Sequence, residues 1–134
     1  MLHNDDTLGT SYANDKGEYL KSYKFNICPE NTISPGYVTE KLFQALQAGC
    51  VPIYSGPGPD PEPEVVNRDA VVFWRPGQDN SEAIRLVERL WRDEDEYRRF
   101  VERPALKPGA VDFVWGALRE LRKRFEKTLA PRKA

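Results

Sequence analysis

Histidine and cysteine are scarce in this chain, with one His and two Cys among 134 residues. Zinc sites draw most of their ligands from these two residue types at short spacings, so none of familiar spacing is expected. A Ser/His/Asp arrangement is missing as well, because His3 stands alone in a polar N-terminal segment and reads as incidental. Cys28 and Cys50 sit among apolar neighbours, in FNICPE and QAGCVPIY, and read as buried free thiols in a reducing compartment. No run of roughly 18 apolar residues is present to span a bilayer. The first residues show no signal-peptide pattern. An excess of one charge is also lacking: 20 Lys and Arg against 21 Asp and Glu leave a net charge of −1. A nucleic-acid binder is expected to be clearly basic, so that class is set aside. A glycine-rich phosphate loop is missing too. GPGPDP carries the glycines, but its prolines remove the backbone donors that a phosphate needs.

What is present is an ordinary globular composition, 40% hydrophobic and 31% charged, over the length of one domain. Residues 1–22 read as an N-terminal loop or linker, polar and rich in Asp and Asn up to Glu18, and residues 23–134 as the folded domain. YKFNIC, Tyr23 to Cys28, predicts a short strand ended by Pro29. Ser34 is placed to cap a helix with Pro35 at its first position, and the helix runs through YVTEKLFQALQA to a stop at Gly49. CVPIYS predicts a second strand, Cys50 to Ser55. The apolar run AVVFW, Ala70 to Trp74, predicts a third, of the kind buried in parallel sheets. Asp79 and Glu82 form a candidate capping pair for a helix reaching about Glu102. Its apolar side carries Ile84, Val87, Leu90, Trp91, Phe100 and Val101. The last helix has the clearest period, through Val111, Val114, Trp115, Leu118, Leu121, Phe125 and Leu129. From Arg119 to the C-terminus seven basic residues face Glu120 and Glu126, which reads as a solvated helix face with a frayed end, or as a contact for anionic lipid or a partner. The order strand, helix, strand, strand, helix, helix predicts an α/β fold, a small parallel sheet flanked by helices.

Ligands in such sheets bind beyond the C-terminal ends of the strands, near helix N-termini. PENTISPGY occupies that place after the first strand. A helix start favours phosphate through its unpaired N–H groups and partial positive charge. Lys41 supplies a cation there. Glu40, adjacent and on another side of the helix, is free to accept hydroxyl hydrogen bonds. Asn31 offers a bidentate amide, and Tyr37 a ring to stack on and a hydroxyl. This set suits a ligand with phosphate, sugar and aromatic base. The same residues also admit a plain reading, with Asn31 shaping the turn, Tyr37 packing on the core, and Glu40 and Lys41 as ordinary helix surface.

The stretch YKFNICPENTISPGYVTEKLFQALQAGCVPIYSG resembles the signature of the α-1,3/1,4-fucosyltransferases. The match holds Tyr23, Lys24, Phe25, Glu30, Asn31, Tyr37, Thr39, Glu40, Lys41, Pro52 and Gly56 in order, and the upstream segment NDDTLGTSYANDKGEYLKSY looks similar to bacterial members. The resemblance implies the C-terminal, partial Rossmann-like domain of a GT-B glycosyltransferase. Such enzymes transfer fucose from GDP-fucose to a GlcNAc or glucose hydroxyl of a glycan, with inversion. By motif position, Glu40 is the catalytic group, binding fucose and stabilising positive charge on its ring. Lys41 contacts the diphosphate. Asn31, Tyr37, Thr39 and Glu30 line the donor site. No metal-binding residues are implied, and any Mg²⁺ or Mn²⁺ arrives with the nucleotide.

The resemblance also places the general base in an N-terminal acceptor domain outside this chain, so the isolated chain is expected to bind donor rather than to turn over. The family's diphosphate-binding arginine has no counterpart before Arg68, and Pro29 replaces its usual Phe. Expected partners are the acceptor glycan and either that domain or a second copy over an exposed apolar face. A bacterial chain would sit in the cytoplasm or peripherally at the inner membrane, and part of a eukaryotic enzyme in the Golgi lumen. Two other functional readings remain at this point, a non-catalytic sugar-nucleotide-binding module and a UDP-sugar transferase of another GT-B family. The intact YVTEK stretch argues against the latter.

Overall fold

A computed structural model describes residues 15–129 and Ser11. His3, most of the acidic N-terminal segment and the last basic residues lie outside the described residues. Three strands form one parallel sheet in chain order: β1 (Phe25–Pro29), β2 (Val51–Ser55) and β3 (Val72–Phe73). Phe25 pairs with Val51 and Pro29 with Ser55, while Tyr54 pairs with Phe73. Proline 29 therefore belongs to the strand as its last residue rather than ending it before the pairing stops. It stands on an edge strand, where a missing N–H costs no ladder bond on the open side.

Five described helices accompany the sheet: α1 (Lys16–Leu20), α2 (Glu40–Ala48), α3 (Ser81–Arg92), α4 (Glu94–Val101) and α5 (Ala110–Leu129), with a 3₁₀ turn at Arg68–Ala70. The alternation of strand side chains makes two cores. On one face Cys28, Tyr54 and Val71 pack with Leu20, Leu42, Ala45 and Cys50. On the other, Val51 and Val72 pack with Leu90 and Phe100. The first core is covered by α1 and α2, the second by α3 and α4.

Several expectations change. The segment read as a loop or linker contains α1, capped by Asp15, which accepts from the Glu18 amide at 3.1 Å. Its Leu20 is buried in the first core, so residues 15–22 are part of the domain body. The expected helix start at Ser34 and Pro35 is instead a turn, with the Tyr37 amide donating to the Ser34 carbonyl at 3.0 Å. Gly36 has φ +75°, which no helix residue adopts, and Pro35 before it makes this a type II turn. The helix begins six residues beyond Ser34, at Glu40, with Thr39 as N-cap. Gly49 closes it as expected, left-handed at φ 79°.

The third strand is shorter than its apolar run, because Arg68–Ala70 turn as a 3₁₀ helix. Asp79 does not form a capping box with Glu82. Asn80 is the N-cap of α3, and Asp79 accepts from the amide and hydroxyl of Ser81 at 2.9 and 3.0 Å. Those bonds hold its carboxyl below the usual range. The long helix expected to reach Glu102 is two helices. Asp93 breaks it with an extended backbone and caps α4 by accepting from the Glu96 amide at 2.8 Å. Asp followed three residues later by Glu was the sequence signal for that break. Ile84 and Trp91, expected on its apolar side, are exposed, as is every residue of the α5 stripe. No described helix is long and apolar enough to cross a membrane.

Candidate functional site

The site is built where β1 runs out. After Pro29 the Glu30 amide still donates to the Ser55 carbonyl at 2.8 Å, which fixes Glu30 at the C-terminal edge of the sheet. From there its carboxylate reaches across the turn. Oε1 accepts from the Thr39 amide at 2.9 Å and Oε2 from the Thr39 hydroxyl at 2.7 Å. Glu30 thus does the work of an N-cap side chain from a distance, and Thr39 makes no cap bond of its own. A carboxylate already stands at the start of α2, where the helix dipole favours an anion. That carboxylate satisfies the Thr39 amide, and the cation at the same end comes from a side chain.

That side chain is Lys41. It folds back so that Nζ donates to the Pro29 carbonyl at 2.8 Å and to Asn31 Oδ1 at 2.7 Å. Neither partner is a carboxylate, so the ammonium keeps its net charge while its direction is fixed. An ammonium has three donors, and no described residue takes the third. The bond also orients Asn31, whose amide Nδ2 is left to donate elsewhere. Glu40 and Tyr37 are both exposed, Tyr37 to 39%, and neither side chain has a partner among the described residues. Of the predicted residues, Asn31 and Lys41 are thus brought together. Glu30 and Thr39 hold each other and shape the turn, while Glu40 and Tyr37 stand open beside them.

Two groups were missed. Arg75 follows β3 and donates to the carbonyls of Gly58 (2.7 Å) and Pro59, so it fastens the proline-rich loop to the sheet end. Its guanidinium stacks on the Phe73 ring at 5.0 Å. Tyr54, on the central strand, is fully buried. Burial first, then the charge of the Glu30 carboxylate and a hydrogen-bonding contact with it, push its pKa up to about 12, with Arg75 acting the other way. An arginine before Pro-Gly, and a tyrosine in a strand otherwise apolar, were the available signals. Both buried cysteines are free thiols, and burial raises Cys28 to about 12 and moves Cys50 upward too. No three His, Cys, Asp or Glu side chains among the described residues are grouped to hold a metal ion.

The sequence model of the glycosyltransferase family 10 (fucosyltransferase) C-terminal domain matches residues 6–124. The chain belongs to this family. An alpha-(1,3)-fucosyltransferase of Helicobacter pylori is 51% identical over 51 residues, 38% of this chain and 10% of that protein. A GDP-fucose protein O-fucosyltransferase 3 of Danio rerio is 30% identical over 107 residues, 75% of this chain and 23% of that protein. Among solved structures, an alpha1,3-fucosyltransferase crystallised with GDP-fucose superposes with a TM-score of 0.58 at 32% identity, covering 70% of this chain and 27% of that one. The chain therefore spans between a tenth and about a quarter of the length of these fucosyltransferase relatives. The family resemblance read from the motif is borne out, as is the small parallel sheet flanked by helices as part of a GT-B-type fold.

Proposed function

We propose that this chain forms the GDP-fucose-binding part of a fucosyltransferase that passes fucose to a hydroxyl of a GlcNAc or glucose unit with inversion. The observation that carries this reading is the arrangement of Lys41. It is a cation tied by Pro29 and Asn31 at the C-terminal end of a parallel sheet, without a carboxylate to neutralise it. Departure of GDP builds negative charge on the diphosphate, and a cation already oriented stabilises that charge without reorganising. Glu40, exposed one residue away, is the group to face the fucose ring, where a carboxylate stabilises developing oxocarbenium character. Tyr37 and the open Asn31 amide complete the donor contacts. Any Mg²⁺ or Mn²⁺ comes with the nucleotide.

The relatives named above share fucose in their names but differ in what else those names say. A segment matching both fits a donor-binding role, with acceptor choice residing elsewhere. On this reading the general base and the acceptor site lie in an acceptor-binding domain. That domain, or a second copy, packs over the apolar stripe of α5. Lys41→Ala is expected to weaken GDP binding by about 1–3 kcal/mol, the range for a lost charge-assisted contact. Glu40→Gln is expected to leave GDP affinity nearly unchanged while narrowing the preference for GDP-fucose over GDP-mannose. Calorimetric titration of folded variants checks both, and unchanged GDP affinity in Lys41→Ala removes the diphosphate role.

A further inference from the structure

The second face of the sheet is only partly covered. The strand register puts Ile27 beside Ile53 and Ile53 beside Val72, with Trp74 two residues further on the same face. Helix α3 packs on Val72 through Leu90. Toward its N-terminal end it leaves a groove of about 180 Å³, bounded by Ile53, Trp74, Ile84 and Val87 with Glu88 among its walls. Toward its C-terminal end stands Trp91, 67% exposed, its ring 6.4 Å from that of Phe25 between centroids. Ile27 is 72% exposed and Ile84 47%. Together these side chains present roughly 600 Å² of apolar surface, as much as the largest patch on an ordinary monomer. Helix α2, which carries Glu40 and Lys41, packs on the first face, so the patch is separate from the donor site.

Two features of this patch fit each other. Ile84 and Trp91 are seven residues apart, so they lie on one side of α3, two turns and about 10 Å apart along its axis. One end is a hollow and the other a projecting indole. Antiparallel pairing of α3 with α3 of a second copy brings each indole over the other copy's hollow, beside Ile84 and Trp74. A two-fold axis repeats the contact, so the assembly closes at two chains. The rim charges also suit a copy of the same chain. Arg89 is paired with Glu96, whereas Arg85, Glu88 and Arg92 have no ion-pair partner among the described residues. A self-complementary contact needs both signs on one surface, and this rim carries both. We propose that two copies of this chain associate through the second face of the sheet, α3 against α3, with Trp91 of each seated in the groove of the other. Pairing the two patches buries roughly 1,200 Å², the low end for specific interfaces, so the dimer is reversible. This pairing does not depend on what the donor site binds.

The test is sedimentation equilibrium of the full chain from low to high micromolar concentration, for the wild type, Trp91→Ala, Ile84→Arg and an equal mixture of the two variants. The wild type is expected to pass reversibly from monomer to dimer. Trp91→Ala, at a side chain two-thirds exposed, is expected to keep the fold by circular dichroism and to raise the dimer dissociation constant at least roughly tenfold, because a central indole dominates such contacts. Ile84→Arg fills the hollow with a charge and is expected to do the same. The mixture is expected to associate more tightly than either variant alone, since Trp91 of one chain meets the intact groove of the other and one of the two contacts returns. A wild-type chain that stays monomeric throughout, a dimer indifferent to Trp91→Ala, or a mixture no tighter than its parts would overturn the proposal.

Discussion

Helices α2 and α5 follow from the same sequence signal and end in opposite states. In α2, Leu42 and Ala45 repeat at helical spacing and both are completely buried against the sheet. In α5, a longer and cleaner stripe from Val111 to Leu129 leaves only Ala110 buried. Periodicity reports that a face is apolar; it does not report what covers it. Polar side chains explain the contrast. The start of α2 is bonded to the strand end through Glu30, Thr39, Lys41 and Asn31, so its orientation is fixed by partners outside itself. Along α5 the side-chain bonds among the described residues, such as Arg122 to Glu126 and Lys123 to Glu120, stay on the helix. They stiffen the helix by a few tenths of a kcal/mol per pair but dock it on nothing.

The sharpest test of this contrast is a pair of leucine truncations. Leu42→Ala removes a fully buried side chain and is expected to cost about 2–5 kcal/mol of unfolding free energy in a denaturant titration. Leu121→Ala, at a side chain 49% exposed, is expected to cost less than about 0.5 kcal/mol in the same chain. A comparable loss at both positions would mean that the α5 stripe is covered in solution. Light scattering would then show whether a second copy covers it.

Smaller effects sharpen the description of the α2 side. Gly49 ends that helix at φ 79° with open space around it, so Gly49→Ala meets strain from the backbone alone, expected at about 1 kcal/mol by thermal unfolding. The thiols behind α2 give a pH signature. Cys28 is raised from 9.0 to about 12, so the folded chain holds its proton more tightly than the unfolded chain does. Stability is then fully present below the unfolded value and falls as pH rises from about 9 toward 12. At pH 8, alkylation of both cysteines is expected to be slow in the native chain and fast in denaturant. Rapid native alkylation would contradict their burial.

Much of the site was legible because its residues are close in sequence. Glu30, Asn31, Tyr37, Thr39, Glu40 and Lys41 fall within one strand-to-helix connection, and strand propensity with a glycine stop placed that connection at the end of a sheet. What was not legible depended on choices that local sequence leaves open. Ser-Pro-Gly-Tyr suits a helix start or a type II turn, and the positive φ of Gly36 decides for the turn. Glu30 looked like a ligand-facing carboxylate, yet both its oxygens are engaged by Thr39 nine residues away. Arg75 reaches the site from β3, 34 residues beyond Lys41, and no spacing rule connects the two. The break at Asp93 was written as Asp-x-x-Glu, but an unbroken apolar pattern on both sides concealed it.

The most direct test is calorimetric titration of the 134-residue chain with GDP-fucose, GDP and UDP-GlcNAc. The account predicts that GDP-fucose and GDP bind while UDP-GlcNAc does not, because a fixed Lys41 holds the diphosphate and the remaining contacts select base and sugar. No binding of either GDP compound, or equal binding of UDP-GlcNAc, would contradict it.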